Sequence, residues 1–83
     1  MVVVVSYDIV GDRRRVRICN KLKDYGRRVQ YSVFECNLDE RRLAELAAEL
    51  SALLNVRQDS IRFYRLCERC AARVEVRGHP AGP

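Results

Sequence analysis

Residues 28–38, RVQYSVFECNL, carry the reading on which the fold turns. Val29, Tyr31 and Val33 alternate on one face of an extended chain, whereas Phe34, Cys36 and Leu38 alternate on the other. Successive side chains of a strand point to opposite faces. The phase flip between Val33 and Phe34 therefore demands a bulge, a sharp bend, or two short strands joined by a very tight turn. The sequence leaves these three open. Only the last makes the segment a hairpin.

Toward the start of the chain, Val2–Val5 is a continuous β-branched run followed by Ser6, Tyr7 and Asp8. It reads as a strand that is apolar on both faces. Gly11 breaks it, and Asp12 is an N-cap candidate for a helix over 13–25, with Ile18, Cys19, Leu22 and Tyr25 on one stripe and Gly26 as its stop. Beyond the hairpin segment, Asp39 heads a helix over 39–54. Its Leu43, Leu46, Ala47, Leu50, Leu53 and Leu54 recur at helical spacing, and its Glu40, Arg41, Arg42, Glu45 and Glu49 form a solvated face. Residues 60–66 read as a third strand region, and 72–77 as a short alternating strand with Val74 and Val76 turned inward. Residues 1–78 are expected to form a single domain, and 79–83 a disordered tail.

With 28–38 counted as two strands, the order is βαββαβ. This is the α+β, ferredoxin-like arrangement, with both helices on one face of an antiparallel sheet and a short extra C-terminal strand possible. Helices then cover one face only, yet Val2–Val5 is apolar on both. A second copy of the same sheet is the simplest cover for the other face.

The 83 residues carry a formal charge of +5, and its placement matters more than its size. Residues 1–12 hold Asp8 and Asp12. Residues 13–28 hold Arg13, Arg14, Arg15, Arg17, Lys21, Lys23, Arg27 and Arg28 against Asp24 alone. From residue 29 onward, acidic and basic residues cancel. Positive charge concentrated in one segment suggests a surface facing a polyanion. Arginine greatly outnumbers lysine, which suits bidentate phosphate contact, but a GC-rich coding bias produces the same excess. No stretch approaches the roughly 18 apolar residues of a membrane helix. The apolar start is too short for a signal peptide, so a cytoplasmic protein is expected, with no membrane partner.

Asp8 stands where the first strand gives way to a loop, a common place for chemistry. It either caps a turn or holds Mg²⁺, an ion that takes one or two protein carboxylates and keeps several waters. Such an ion polarises a phosphodiester and supplies a nucleophilic water. A two-fold axis nearby would add a second Asp8 and complete a two-carboxylate site. Arg15, Arg17 and Arg28 are phosphate-binding candidates, set against the ordinary reading of a solvated helix face. Tyr7 and Phe34 could stack on bases, and packing is favoured for Phe34. Cys67 and Cys70 form a CxxC without the further ligands that zinc normally needs, so reduced thiols are expected. Cys19 and Cys36 should pack as small hydrophobes. With His79 the only histidine and no Gly-rich loop, neither a nucleophilic triad nor a phosphate cradle is supported.

The segments VVVVSYDI, DRRRVRICNKLKDYG and RVQYSVFEC, followed by the leucine-rich helix and the strand ending in LCERC, resemble the CRISPR-associated protein 2 family. The resemblance covers nearly the whole chain. It implies a ferredoxin-like homodimer whose sheets pack face to face, with Asp8 of each subunit on one shared Mg²⁺ site. It also implies endonuclease activity on single-stranded RNA or double-stranded DNA, and a CRISPR integrase subunit as partner during spacer acquisition. The alternative within the same resemblance is a non-catalytic DNA-binding scaffold that bridges integrase subunits. By motif position, Tyr7 adjoins the metal ligand, Arg15, Arg17 and Arg28 match basic positions, and Ser32 and Phe34 lie within the QYSVF motif. Gly11 stands where many members carry a polar or acidic residue, which implies a looser loop after Asp8.

Overall fold

The computed structural model describes residues 1–78; His79 and the tail expectation for 79–83 lie outside the described residues. The elements are β1 (Val2–Asp8), α1 (Asp12–Lys23), β2 (Gly26–Gln30), β3 (Val33–Asn37), α2 (Glu40–Leu53), β4 (Ser60–Leu66) and α3 (Glu68–Ala72). The four strands form one sheet in the order β2-β3-β1-β4, every neighbouring pair antiparallel. This is the expected ferredoxin-like βαββαβ.

The phase flip resolves as a hairpin. β2 and β3 are separated only by Tyr31 and Ser32, and Ser32 takes a positive φ of 64°. A left-handed residue lets the chain reverse in two residues, and it is unusual for a side chain other than glycine. A register shift between Arg28 and Gln30 adds a bulge. The face change thus falls at the turn and the bulge, not between Val33 and Phe34, and Tyr31 sits at the exposed turn.

Alternation along β1 separates the two sides of the sheet. Val3, Val5 and Tyr7 are buried beneath the helices with Phe34 and Cys36 of β3. Ile18 and Leu22 of α1 and Leu43, Leu46 and Leu50 of α2 close this core, with Cys19, Tyr25, Leu53 and Leu54 packed at its margin. Each fully buried Leu or Ile contributes about 1.5–3 kcal/mol. Val2, Val4 and Ser6 face the uncovered side and are only half-buried. The β1 run is indeed apolar on both faces, and one of them lacks a cover within this chain.

Helix starts differ in how they are capped. Asp39 accepts from the Arg42 N–H at 2.8 Å and caps α2, an interaction worth about 1 kcal/mol. At α1 the N-cap is Gly11, with no side-chain cap, and Asp12 is the first helical residue. The acidic charge still sits at the favourable end of the helix dipole. Gly26 does not stop α1, which ends before Asp24; it opens β2. A Cβ there would collide with the Glu35 carbonyl oxygen and with Cys36, so the close approach of β2 to β3 is what requires glycine.

The alternating segment 72–77 is not a strand. β4 is followed by α3 and an irregular stretch, with Val74 53% and Val76 67% exposed rather than inward. A two-valine stripe cannot hold a strand without a ladder partner, and none pairs with it among the described residues. Arg42 also departs from the solvated face expected of it. Its guanidinium lies over the Tyr25 ring, 4.3 Å from the centroid.

Candidate functional site

Asp8 is the last residue of β1, a central strand, and pairs in register with Ser60 at the start of β4. Its side chain is exposed. By strand periodicity it shares the uncovered face of the sheet with Val2, Val4 and Ser6. No ion pair among the described residues engages it.

The chain leaving Asp8 is held from two sides. Asp59, just before β4, is buried and its carboxylate collects four donors. These are the Val10 N–H at 2.9 Å and Arg14 Nη2 at 3.3 Å on Oδ1, and Arg14 Nε at 2.7 Å and the Asn55 N–H at 3.0 Å on Oδ2. The Arg14 hydrogen bond, helped by the two backbone N–H groups, holds the Asp59 carboxyl well below the usual carboxylate range despite its burial. The carboxylate is therefore charged and pins the β1–α1 loop to the α2–β4 loop. On the other side, Arg15 Nη1 pairs with Asp12 at 2.6 Å while Nη2 donates to the Ile9 carbonyl at 3.2 Å. The loop that Gly11 was expected to loosen is thus tied at Ile9, Val10 and Arg14, and the Arg14 guanidinium packs over Gly11 itself.

Tyr7 and Phe34 face the core. Phe34 is fully buried, Tyr7 nearly so, and their ring centroids are 6.3 Å apart. Burial, then a hydrogen bond with Cys19, pushes the Tyr7 phenol up to about 12. It is a neutral packing residue one position from Asp8, not a stacking platform. Ser32 acts through its backbone, its carbonyl accepting from the Tyr7 N–H at 3.0 Å. The hairpin tip thereby braces the end of β1.

Arg28 is half-buried, with its guanidinium 5.4 Å from the centroid of the exposed Tyr31 ring. Arg15 reaches the end of β1 through the Ile9 carbonyl, and Arg28 pairs in register with Phe34 on the neighbouring β3. Arg17 is exposed. Two positions beyond Arg15, it points from a different side of the helix. The end of β1 thus carries Asp8 on the uncovered face and Tyr7 toward the core, with Ser32 and Arg15 bonded to the adjacent backbone. Phe34 lies in the core, Arg28 lies against Tyr31, and Arg17 is set apart.

The pairing of Asp59 with Arg14 and the turn position of Tyr31 are not legible in the sequence. Asp59 is an acid between turn residues whose partners lie 4, 45 and 49 positions away, two of them backbone N–H groups without sequence identity. The only usable signal was an aspartate immediately before a strand.

Among the described residues no three His, Cys, Asp or Glu side chains gather into a metal site. Asp8, exposed and in no ion pair among the described residues, fits half of a shared Mg²⁺ site, because this ion needs only one or two carboxylates.

Comparison with known proteins is consistent across sequence and structure. The family model for CRISPR associated protein Cas2 matches residues 1–74. A protein of Thermus thermophilus named CRISPR-associated endonuclease Cas2 2 is 51% identical over 74 residues, covering 89% of this chain and 78% of that one. One of Chloroflexus aurantiacus named CRISPR-associated endoribonuclease Cas2 3 is 49% identical over 78 residues, covering 94% and 84%. The crystal structure of Streptococcus pyogenes Cas2 superposes with a TM-score of 0.85 at 36% identity, covering 94% of this chain and all of that one.

Proposed function

The chain belongs to the CRISPR-associated Cas2 family, and from that premise we propose that it is a homodimeric, Mg²⁺-dependent endonuclease acting on phosphodiester bonds of single-stranded RNA or double-stranded DNA in CRISPR spacer acquisition. The observation that carries this reading is Asp8. It is an exposed carboxylate in no ion pair among the described residues, at the tip of a central strand and on the same face as the uncovered Val2 and Val4. Burying that apolar face against a second copy would turn both Asp8 side chains toward the interface, where two carboxylates can share one ion.

When bound there, Mg²⁺ would supply Lewis-acid polarisation of the phosphodiester and a more acidic water. The chain's own residues do the rest. Asp59 and Arg14 fix the loop that follows Asp8, and Ser32 braces the strand from the other side. Arg28, with Arg17 further along α1, supplies positive charge to the phosphate backbone. Arg15 orders the loop through Asp12 and the Ile9 carbonyl and adds to the same positive field. Tyr7, held neutral and buried, keeps the strand end in place. A cytoplasmic location belongs to the same proposal, since four free cysteines suit a reducing compartment.

The test is cleavage of labelled RNA and duplex DNA with and without Mg²⁺, by the wild type and Asp8→Asn, with sedimentation alongside. The expected outcome is a wild-type dimer that cleaves only with Mg²⁺, and a variant dimer that does not cleave. Cleavage by Asp8→Asn at the wild-type rate would remove Asp8 from the chemistry, and a monomer at working concentration would remove the shared site.

The positive charge concentrated in residues 13–28 supports a second reading. In it the dimer is a non-catalytic scaffold that presents its basic surface to duplex DNA and bridges CRISPR integrase subunits. Charge reversal at Arg15, Arg17 and Arg28 would then weaken duplex binding and reduce the salt slope by about 0.9 per lost phosphate contact. Unchanged binding would exclude this role.

A further inference from the structure

Cys67 and Cys70 stand apart from the site beside Asp8. Cys67 follows β4 directly and is the N-cap of α3, its Sγ accepting from the Cys70 N–H at 3.4 Å. Both thiols are exposed and free, whereas Cys36 is buried and Cys19 half-buried against the core. A disulfide needs Cα atoms about 4.4–6.8 Å apart, and side chains three positions apart on a helical turn are neighbours at about 5–6 Å. Since α3 buries none of its residues, its first turn can adjust to close the bond without disturbing the core.

We propose that Cys67 and Cys70 form a dithiol–disulfide couple that exchanges with small-molecule disulfides. Cys67 is the attacking sulfur. The Cys70 N–H, then the Cys70 thiol, hold its thiol below the ordinary cysteine value, while the same thiol contact pushes Cys70 up. The Cys67 thiolate attacks one sulfur of RS–SR, forming Cys67–S–SR and releasing RS⁻, which takes up a proton. Cys70 then loses its proton to solvent and attacks the Cys67 sulfur. The Cys67–Cys70 bond forms, the mixed disulfide breaks, and the second RS⁻ leaves and is protonated. The protein gives up two electrons and two protons, and the small-molecule disulfide is reduced to two thiols.

The experiment uses the full chain equilibrated in mixtures of reduced and oxidised glutathione, acid-quenched, denatured, alkylated and peptide-mapped by mass. The expected result is a fall from the four alkylatable cysteines of the sequence to two, the lost pair mapping to residues 67 and 70 within one chain. Cys70→Ser should accumulate glutathione on Cys67, and Cys67→Ser should show markedly slower adduct formation on Cys70. Because α3 buries nothing, both variants should keep the wild-type circular dichroism and melting temperature. Four alkylatable thiols at the most oxidising ratio would overturn the proposal. So would a Cys67 bond between two chains, or protection of both thiols only by added zinc and reversed by a chelator.

Discussion

Two strand exits of this molecule look alike in sequence and behave oppositely. After β1 the chain runs through an apolar and polar mixture, Ile9–Gly11, into α1; after β4 it runs through Cys67 into α3 and on to Val74 and Val76. The first exit is fastened by the buried Asp59 carboxylate through Val10, Arg14 and Asn55, and by Arg15 on the Ile9 carbonyl. At the second, no residue of α3 is buried, and both valines are exposed. The difference lies not in apolar content but in whether a buried charge gathers the backbone donors of the loop. A charge that is desolvated and fully hydrogen-bonded fixes geometry, and the candidate carboxylate Asp8 sits at the exit so fixed.

The sharpest way to break this contrast is Asp59→Asn. Arg14 would be left without its counter-charge and one side-chain oxygen would become a donor facing other donors. A drop in melting temperature larger than that of Gly26→Ala is expected, together with loss of any Asp8-dependent cleavage, measured by thermal melts and the cleavage assay. A wild-type melt would mean the loop is ordered by something else. The same residue sets an acid limb. Its folded value lies below its unfolded value of 3.8, so its stabilisation is complete above about pH 4 and is lost as pH falls further. Wild-type melting temperatures should therefore fall more steeply below that pH than those of Asp59→Asn. Parallel curves would refute the assignment.

Gly26→Ala calibrates the scale away from both exits. Overpacking against the Glu35 carbonyl and Cys36 should cost about 1–3 kcal/mol in denaturant unfolding. An unchanged midpoint would show that β2 can draw back from β3. The smallest effect belongs to the loose exit. Val74→Ser with Val76→Ser should change unfolding free energy by no more than about 0.5 kcal/mol under conditions where the chain is a monomer. A larger loss would show that these valines pack within the chain after all.

Much of the architecture was legible because it rests on periodicity. The leucines of α2, the alternation of β1 and the whole of β4 announce themselves through spacing alone. The position of Asp8 at a strand end was equally plain, since an apolar run stops there. What could not be read depends on conformation or on distant partners. Ser32 carries a left-handed backbone that its side chain does not advertise, so the hairpin was one of three options. Gly26 looked like a helix stop when its true constraint is the backbone of a neighbouring strand. Val74 and Val76 alternate as a strand would, but alternation says nothing about whether a ladder partner exists. The role of Arg14 differs from that of its neighbours Arg13 and Arg15 only because Asp59 lies opposite it.

The single hydrogen bond from the Tyr7 N–H to the Ser32 carbonyl has an evolutionary consequence. It fixes the length of the β2–β3 connection, because one inserted residue would rotate that carbonyl away from β1 and release the last residues before Asp8. Insertions and deletions should therefore be purged at this tip while accumulating across residues 74–78, where no other segment of the described chain depends on the count.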